Sequence, residues 1–185
     1  MNDELIRKFV SFQTFMHTPK YIETPIVVKD KRIQHGSSLE YVHDLESVHP
    51  FGHSYVNVEV KNGDSRRFSA KLMSDEIHSK ILLRYDSSGN AHRNNYDDIP
   101  LKEQQVTTPH LHYFDDNGRF LAKKTSEILA DENRACEIEY GFHIFCNEGN
   151  IYGKLTTNPP KIQIGEQAIL PFEKEDFDPC EGVEF

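Results

Sequence analysis

The feature that most constrains this chain is the alternation on either side of Asn62-Gly63. Val56, Val58 and Val60 occupy every second position before the dipeptide, and Phe68, Ala70 and Leu72 every second position after it. Successive side chains of a strand point to opposite faces, so this pattern buries one face and leaves the other to water. Asn-Gly offers the pair of positive-φ residues that a type I′ turn requires. The segment therefore reads as a β-hairpin with one apolar face. A third strand is expected from Ile77 to Asp86, closed by the turn residues Ser87-Ser88-Gly89-Asn90. A strand from Val106 to Phe114, the turn Asp115-Asp116-Asn117-Gly118 and a short strand from Arg119 to Ala122 continue it as an antiparallel meander.

Around the meander the signals are helical or irregular. Leu5, Ile6, Phe9, Val10, Phe12 and Met16 recur near helical spacing behind Asn2 as N-cap, which predicts an amphipathic helix over 2–16. Pro19 to Lys31 reads as extended chain with one strand at Ile26-Val27-Val28. His35 to Gly52 reads as turn-rich, with His35, His43 and His49 mostly in loops. Thr125 and Ser126 can cap a helix beginning near Glu127. Over 135–146, Ala135, Ile138, Phe142 and Phe145 fit a helical face, while Cys136, Ile138, Tyr140, Phe142 and Ile144 fit a strand equally well. From Glu166 to Phe185, seven acidic residues face one lysine. The expected organisation is α+β: an antiparallel β-sheet meander packed against an N-terminal helix and one or two later helices. It is read as a single domain, 1–165, followed by an acidic C-terminal tail, 166–185.

Charge and hydropathy narrow the function classes. No apolar run approaches the roughly 18 residues of a membrane span, and the mean hydropathy is −0.64, so no membrane contact is expected. Met1-Asn2-Asp3-Glu4 lacks the basic opening of an export signal. Cys136, Cys146 and Cys180 form no C-x-x-C pair, which suits a reducing, cytoplasmic setting. The formal charge of −9 opposes general attraction to nucleic acid, so any such contact must use a local basic patch. The same charge suits docking on a basic nucleic-acid-binding protein.

The chemistry-bearing residues lie between Arg84 and Phe114. By strand alternation Arg84 and Asp86 share one face, and His110, His112 and Phe114 share one face of the next strand. In the right register the polar groups converge, and His92 and Arg93 on the connecting loop can fold over them. Such a set suits metal-free RNA cleavage: His110 and His112 as acid and base, Asp86 orienting an imidazole, and Arg84 with His92 and Arg93 on the phosphate. Lys123 and Lys124, with Arg66, Arg67, Lys71 and Arg119, can border an RNA path. The alternatives are a half-exposed sheet with a surface Arg84–Asp86 pair, or a metal on His-x-His with Asp86, His92 or His143 as third ligand. Metal-free chemistry ranks above the metal, because the sequence offers two ligands without a clear third. No cofactor is expected.

Three segments carry a resemblance: Ile81-Leu82-Leu83-Arg84-Tyr85-Asp86, Ala91-His92-Arg93-Asn94 and Thr108-Pro109-His110-Leu111-His112. The chain resembles a family of small uncharacterised bacterial and prophage proteins whose core is a leucine-rich strand ending in Arg-x-Asp, then Pro-His-Arg-Asn and Pro-His-Leu-His. The similarity covers roughly residues 55–147, with Ala91 where the family often has proline. Phe142 to Asn147 is similar to the family's closing helix, which implies helix over 135–146. A looser similarity to toxins of toxin-antitoxin pairs implies a mobile-element or phage setting. The combined expectation is an RNA-directed effector, a small metal-independent endoribonuclease, with a non-catalytic acidic inhibitor of a nucleic-acid-guided defence nuclease as the alternative.

Overall fold

The computed structural model describes residues 6–30, 38–47, 51–96, 99–154 and 156–165. Asn2, His35, His49 and the acidic segment 166–185 lie outside these residues, as do the readings placed on them.

The chain is α+β. Its main sheet has eight strands in the order β11-β10-β7-β6-β5-β3-β2-β13. The central run consists of β5 (Ser54–Lys61), β6 (Asp64–Ser74), β7 (His78–Asp86), β10 (His110–Phe114) and β11 (Phe120–Lys123). All neighbours in this run pair antiparallel, as the meander requires. On the far side β3 (Ser38–Asp44) joins β5 antiparallel, β2 (Ile26–Asp30) joins β3, and β13 (Ile162–Ile164) closes the edge parallel to β2. A small second sheet sets β1 (Lys20–Ile22) between β12 (Ile151–Gly153) and β4 (Glu46–Ser47). β8 (His92–Arg93) and β9 (Gln105–Val106) form a two-stranded ribbon.

The hairpin forms, but not through a type I′ turn. Gly63 takes φ +75°, while Asn62 is not among the residues with positive φ. Lys61 faces Asp64, and the ladder then shifts so that Val60 faces Phe68. The extra residues of β6 are absorbed as an irregularity, which restores Phe68, Ala70 and Leu72 to the buried face. Three other expectations change. His43 lies on β3, not in a loop. The extended segment after Pro19 holds two strands, and the strand expected from Val106 to Phe114 is two strands separated by residues 107–109.

The sheets are joined by helices α1 (Phe9–His17), α2 (Ser126–Ala130), α3 (Glu132–Ala135) and α4 (Ile138–Gly149). The Thr125 side chain accepts from Ile128 N, the cap its sequence offers. The ambiguous segment is helix: α4 buries Phe142, Ile144, Phe145 and Cys146. It lies on the sheet face that carries Phe68, Ala70, Leu72, Leu83 and Tyr85. The Tyr85 hydroxyl donates to Ala135 O at 2.6 Å, and its ring stacks on Phe68 at 5.5 Å. Gly141 permits this approach, since a Cβ there would lie 2.7 Å from Phe68 Cζ. In α1, Phe12 and Phe15 are buried whereas Val10 is exposed, so the apolar stripe is narrower than its spacing suggests.

Lys20 joins two helix ends. Its ammonium is fully buried and donates to Phe15 O at 2.6 Å, Thr18 O at 2.8 Å and Gly149 O at 2.8 Å. Burial pushes its pKa down to about 7. The carbonyls it meets belong to the C-terminal ends of α1 and α4, where the helix dipole favours a cation. Among the described residues no helix is long and apolar enough to cross a membrane.

Candidate functional site

The site grows from strand register. His110 on β10 faces Asp86 on β7, and His112 faces Arg84. Directly opposed residues of an antiparallel pair share a face, so all four side chains stand on the face that α4 does not cover. Their near neighbours on β6, Ser69 and Lys71, stand on it too.

The four groups touch. His112 Nε2 lies 3.1 Å from Asp86 Oδ2, His110 Nε2 lies 3.7 Å from the same oxygen, and the two Nε2 atoms are 2.9 Å apart. Arg84 Nε donates to the other oxygen, Oδ1, at 2.8 Å. Burial alone would raise the Asp86 carboxyl. The two imidazoles and the Arg84 guanidinium outweigh it and hold that carboxyl well below the usual carboxylate range, so Asp86 is an anion at neutral pH.

The cluster is covered, which strand parity alone does not foresee. His110 is 1% exposed, His112 6% and Asp86 7%. Part of the cover is aromatic: Phe120 stacks on the His112 ring with centroids 5.0 Å apart and an 11° interplanar angle. The rest is the β8–β9 ribbon. The His92 ring meets His112 edge-on at 4.7 Å, and Asn94 anchors the segment by donating to Ala122 O at 2.8 Å and accepting from Ala122 N at 2.7 Å. Burial and the neighbouring His112 and His110 rings push the His92 pKa below its ordinary value, against the opposing Phe120 carbonyl and Asp86. His92 is therefore neutral at pH 7.

Two openings flank the cluster. On one side a cleft of about 630 Å³ is lined by Met73, Ile81, Phe114 and Phe120, with His92, Arg93 and Arg119 among its polar residues. On the other a shallow depression reaches Asp86 and Arg84 and includes Arg67, Ser69 and Ser88.

Of the expected site residues, the structure brings together Arg84, Asp86, His92, His110 and His112. Arg93 lies beside them on β8, exposed at the cleft. Lys123 is elsewhere: it pairs with Leu111, so it shares the opposite sheet face, and its ammonium is bound to Glu148 at 2.7 Å. Lys124 is tied to Glu132 at 2.6 Å. Neither joins the histidine face. Among the other basic residues, Lys71 pairs with Glu59, Arg119 with Asp115, and Arg66 donates to Asn133 O. Of the three possible third partners for His-x-His, Asp86 is the one in place, and His143 is exposed on α4. Asn94 and Phe120 were not foreseen as parts of the site. Their signal was present in the His-Arg-Asn triplet and in the parity of Phe120 with Phe114.

The arrangement also bears on how acid and base can be divided. In-line transfer at phosphorus puts the attacking and leaving oxygens on opposite sides. Two imidazole nitrogens 2.9 Å apart leave no room for a phosphate between them. His110 and His112 thus stand as one contiguous unit around Asp86, without the phosphate-sized gap that a division into separate acid and base would need.

No protein-family model, no curated protein and no solved structure matches this chain.

Proposed function

We propose that the protein is an RNA-directed effector that cleaves phosphodiester bonds at the His110–His112–Asp86 cluster. The observation that carries this reading is the register of β7 and β10. It sets two imidazoles, an ionised carboxylate and a guanidinium on one sheet face, with Arg67 in the adjoining depression. The ribose 2′-oxygen attacks phosphorus while the bond to the 5′-oxygen breaks, leaving a 2′,3′-cyclic phosphate. The coupled cluster takes the 2′-hydroxyl proton, and the departing 5′-oxygen is protonated from water. Arg84, 38% exposed at its side chain, holds the phosphate at the rim of the depression.

The test is cleavage of a mixed-sequence RNA by the full chain, with products analysed for cyclic phosphate ends. Removing a proton-transfer group lowers such rates by about 10²- to 10⁴-fold, and His112→Gln and Asp86→Asn are expected in that range at a temperature where circular dichroism shows each variant folded. Arg84→Gln should chiefly raise KM. Intact RNA under all conditions with the wild-type chain would remove this reading.

A further inference from the structure

His110 Nε2, His112 Nε2 and Asp86 Oδ2 form, among the described residues, a group of three metal-ligating atoms that all lie within 4.8 Å of one another. Their separations of 2.9, 3.1 and 3.7 Å bracket the roughly 3.3 Å between ligands that a tetrahedral ion with bonds of about 2.0–2.1 Å imposes.

Hydrogen bonding does not account for this convergence. A neutral imidazole has one N–H, and His112 Nε2 would need it for both His110 Nε2 and Asp86. If that hydrogen sits on His112 Nε2, it satisfies one of the two contacts. If both rings carry hydrogen on Nδ1, two nitrogen lone pairs and a carboxylate face one another with nothing positive between them. The Nδ1 atoms of both rings are buried without a hydrogen-bond partner among the described residues. A cation at the centre satisfies all three inward-facing atoms together. The neighbouring covers, Phe120 and the His92 ring, keep the arrangement shielded from bulk water.

We propose that these three atoms are the protein ligands of a divalent first-row transition metal ion. This departs from the metal-free expectation of the sequence, where no third ligand could be chosen. Two nitrogens and one carboxylate oxygen suit zinc, cobalt, manganese or iron(II), and disfavour calcium and magnesium, which take oxygen ligands. Three protein ligands leave a position open. When bound, an ion of this class would occupy the inward lone pairs of the three groups and, in place of proton uptake by them, would supply Lewis acidity that acidifies a hydroxyl or water in that position. The assignment rests on the RNA-cleaving reading only for what the ion is used for; the binding itself stands on the cluster.

The test uses metal alone. Tag-free full-length protein is titrated with Co²⁺, read by the visible absorption of a low-coordinate site, and with Zn²⁺ by calorimetry. One ion per chain is expected. Affinity should fall at least tenfold in His112→Gln and Asp86→Asn, and stay unchanged in His143→Gln. As a check that needs no variant, the His110 and His112 imidazole resonances should shift on adding Zn²⁺. No uptake by the wild-type chain, equal affinity in the ligand variants, or resonances that do not move would each overturn the assignment. Uptake of metal with RNA left intact keeps the centre and removes the RNA reading. RNA cleavage by a chain that takes up no ion does the reverse.

Discussion

The Asn94 side chain grips the main chain of Ala122 at both of its polar groups, donating to the carbonyl at 2.8 Å and accepting from the N–H at 2.7 Å. This pair fastens the β8–β9 ribbon to β11 and so holds His92 over the cluster. Both bonds are buried, and Ala122 lies on the edge strand β11, where among the described residues no further strand replaces them.

Asn94→Ala therefore removes two buried bonds and leaves the Ala122 groups unsatisfied, a loss of about 2–6 kcal/mol at 1–3 kcal/mol per orphaned group. Urea denaturation measures it. Amide exchange across 92–106 should accelerate in the variant more than across β5 and β6, and uniform acceleration would contradict the clamp.

Lys20→Met removes the ammonium from three buried carbonyls at the ends of α1 and α4, of which Phe15 O keeps the Thr18 N–H at 3.2 Å while Thr18 O and Gly149 O lose their donor. At the same cost per group the expected loss is about 2–6 kcal/mol, read as a fall in Tm. Lys20→Arg should not restore it, because a planar guanidinium does not match three converging carbonyls.

His53 bridges two carboxylates, with Nε2 2.8 Å from Asp44 and Nδ1 3.0 Å from Asp75. Its pKa is raised, first by the hydrogen bonds to Asp44 and Asp75. The folded state then holds a proton that the unfolded chain releases near about 6.5. The contribution to stability is full below that pH and disappears as pH rises through the higher folded value. His53→Gln should melt below the wild type in mild acid and level with it in mild base. A gap that grows with pH would reverse the assignment.

Gly141→Ala forces a Cβ to within 2.6 Å of Ala135 O and 2.7 Å of Phe68 Cζ. Overpacking of this kind costs about 1–3 kcal/mol, although alanine is the better helix former by about 1 kcal/mol. A net destabilisation by chemical denaturation is expected, and a stabilised variant would show that α4 can retreat from the sheet.

The meander could be read from the sequence because β5 and β6 alternate cleanly between apolar and polar residues and turn residues close the strands that follow. β3 could not, because Leu39 is its single buried apolar residue and the remainder is polar or partly exposed. The two-residue strands β8 and β9 are too short to carry a period. Co-facial placement of His110, His112, Arg84 and Asp86 followed from alternation once the register was known. Their burial did not, since it depends on Phe120, on the ribbon and on Asn94, whose contact with Ala122 spans 28 residues. Lys123, expected beside an RNA path, falls on the other face because the register of β10 and β11 sets it opposite Leu111.

Asp86 gives one oxygen to a half-exposed guanidinium and the other to a covered imidazole. An anion that draws Arg84 outward leaves Oδ1 without its partner and concentrates negative charge on the carboxylate just as a ligand arrives. What happens at the rim reaches the inner groups through a single side chain, since Asp86 touches both Arg84 and His112. Arrival of a phosphate and the strength of the inner cluster are then coupled quantities, and each should be measurable as a change in the other.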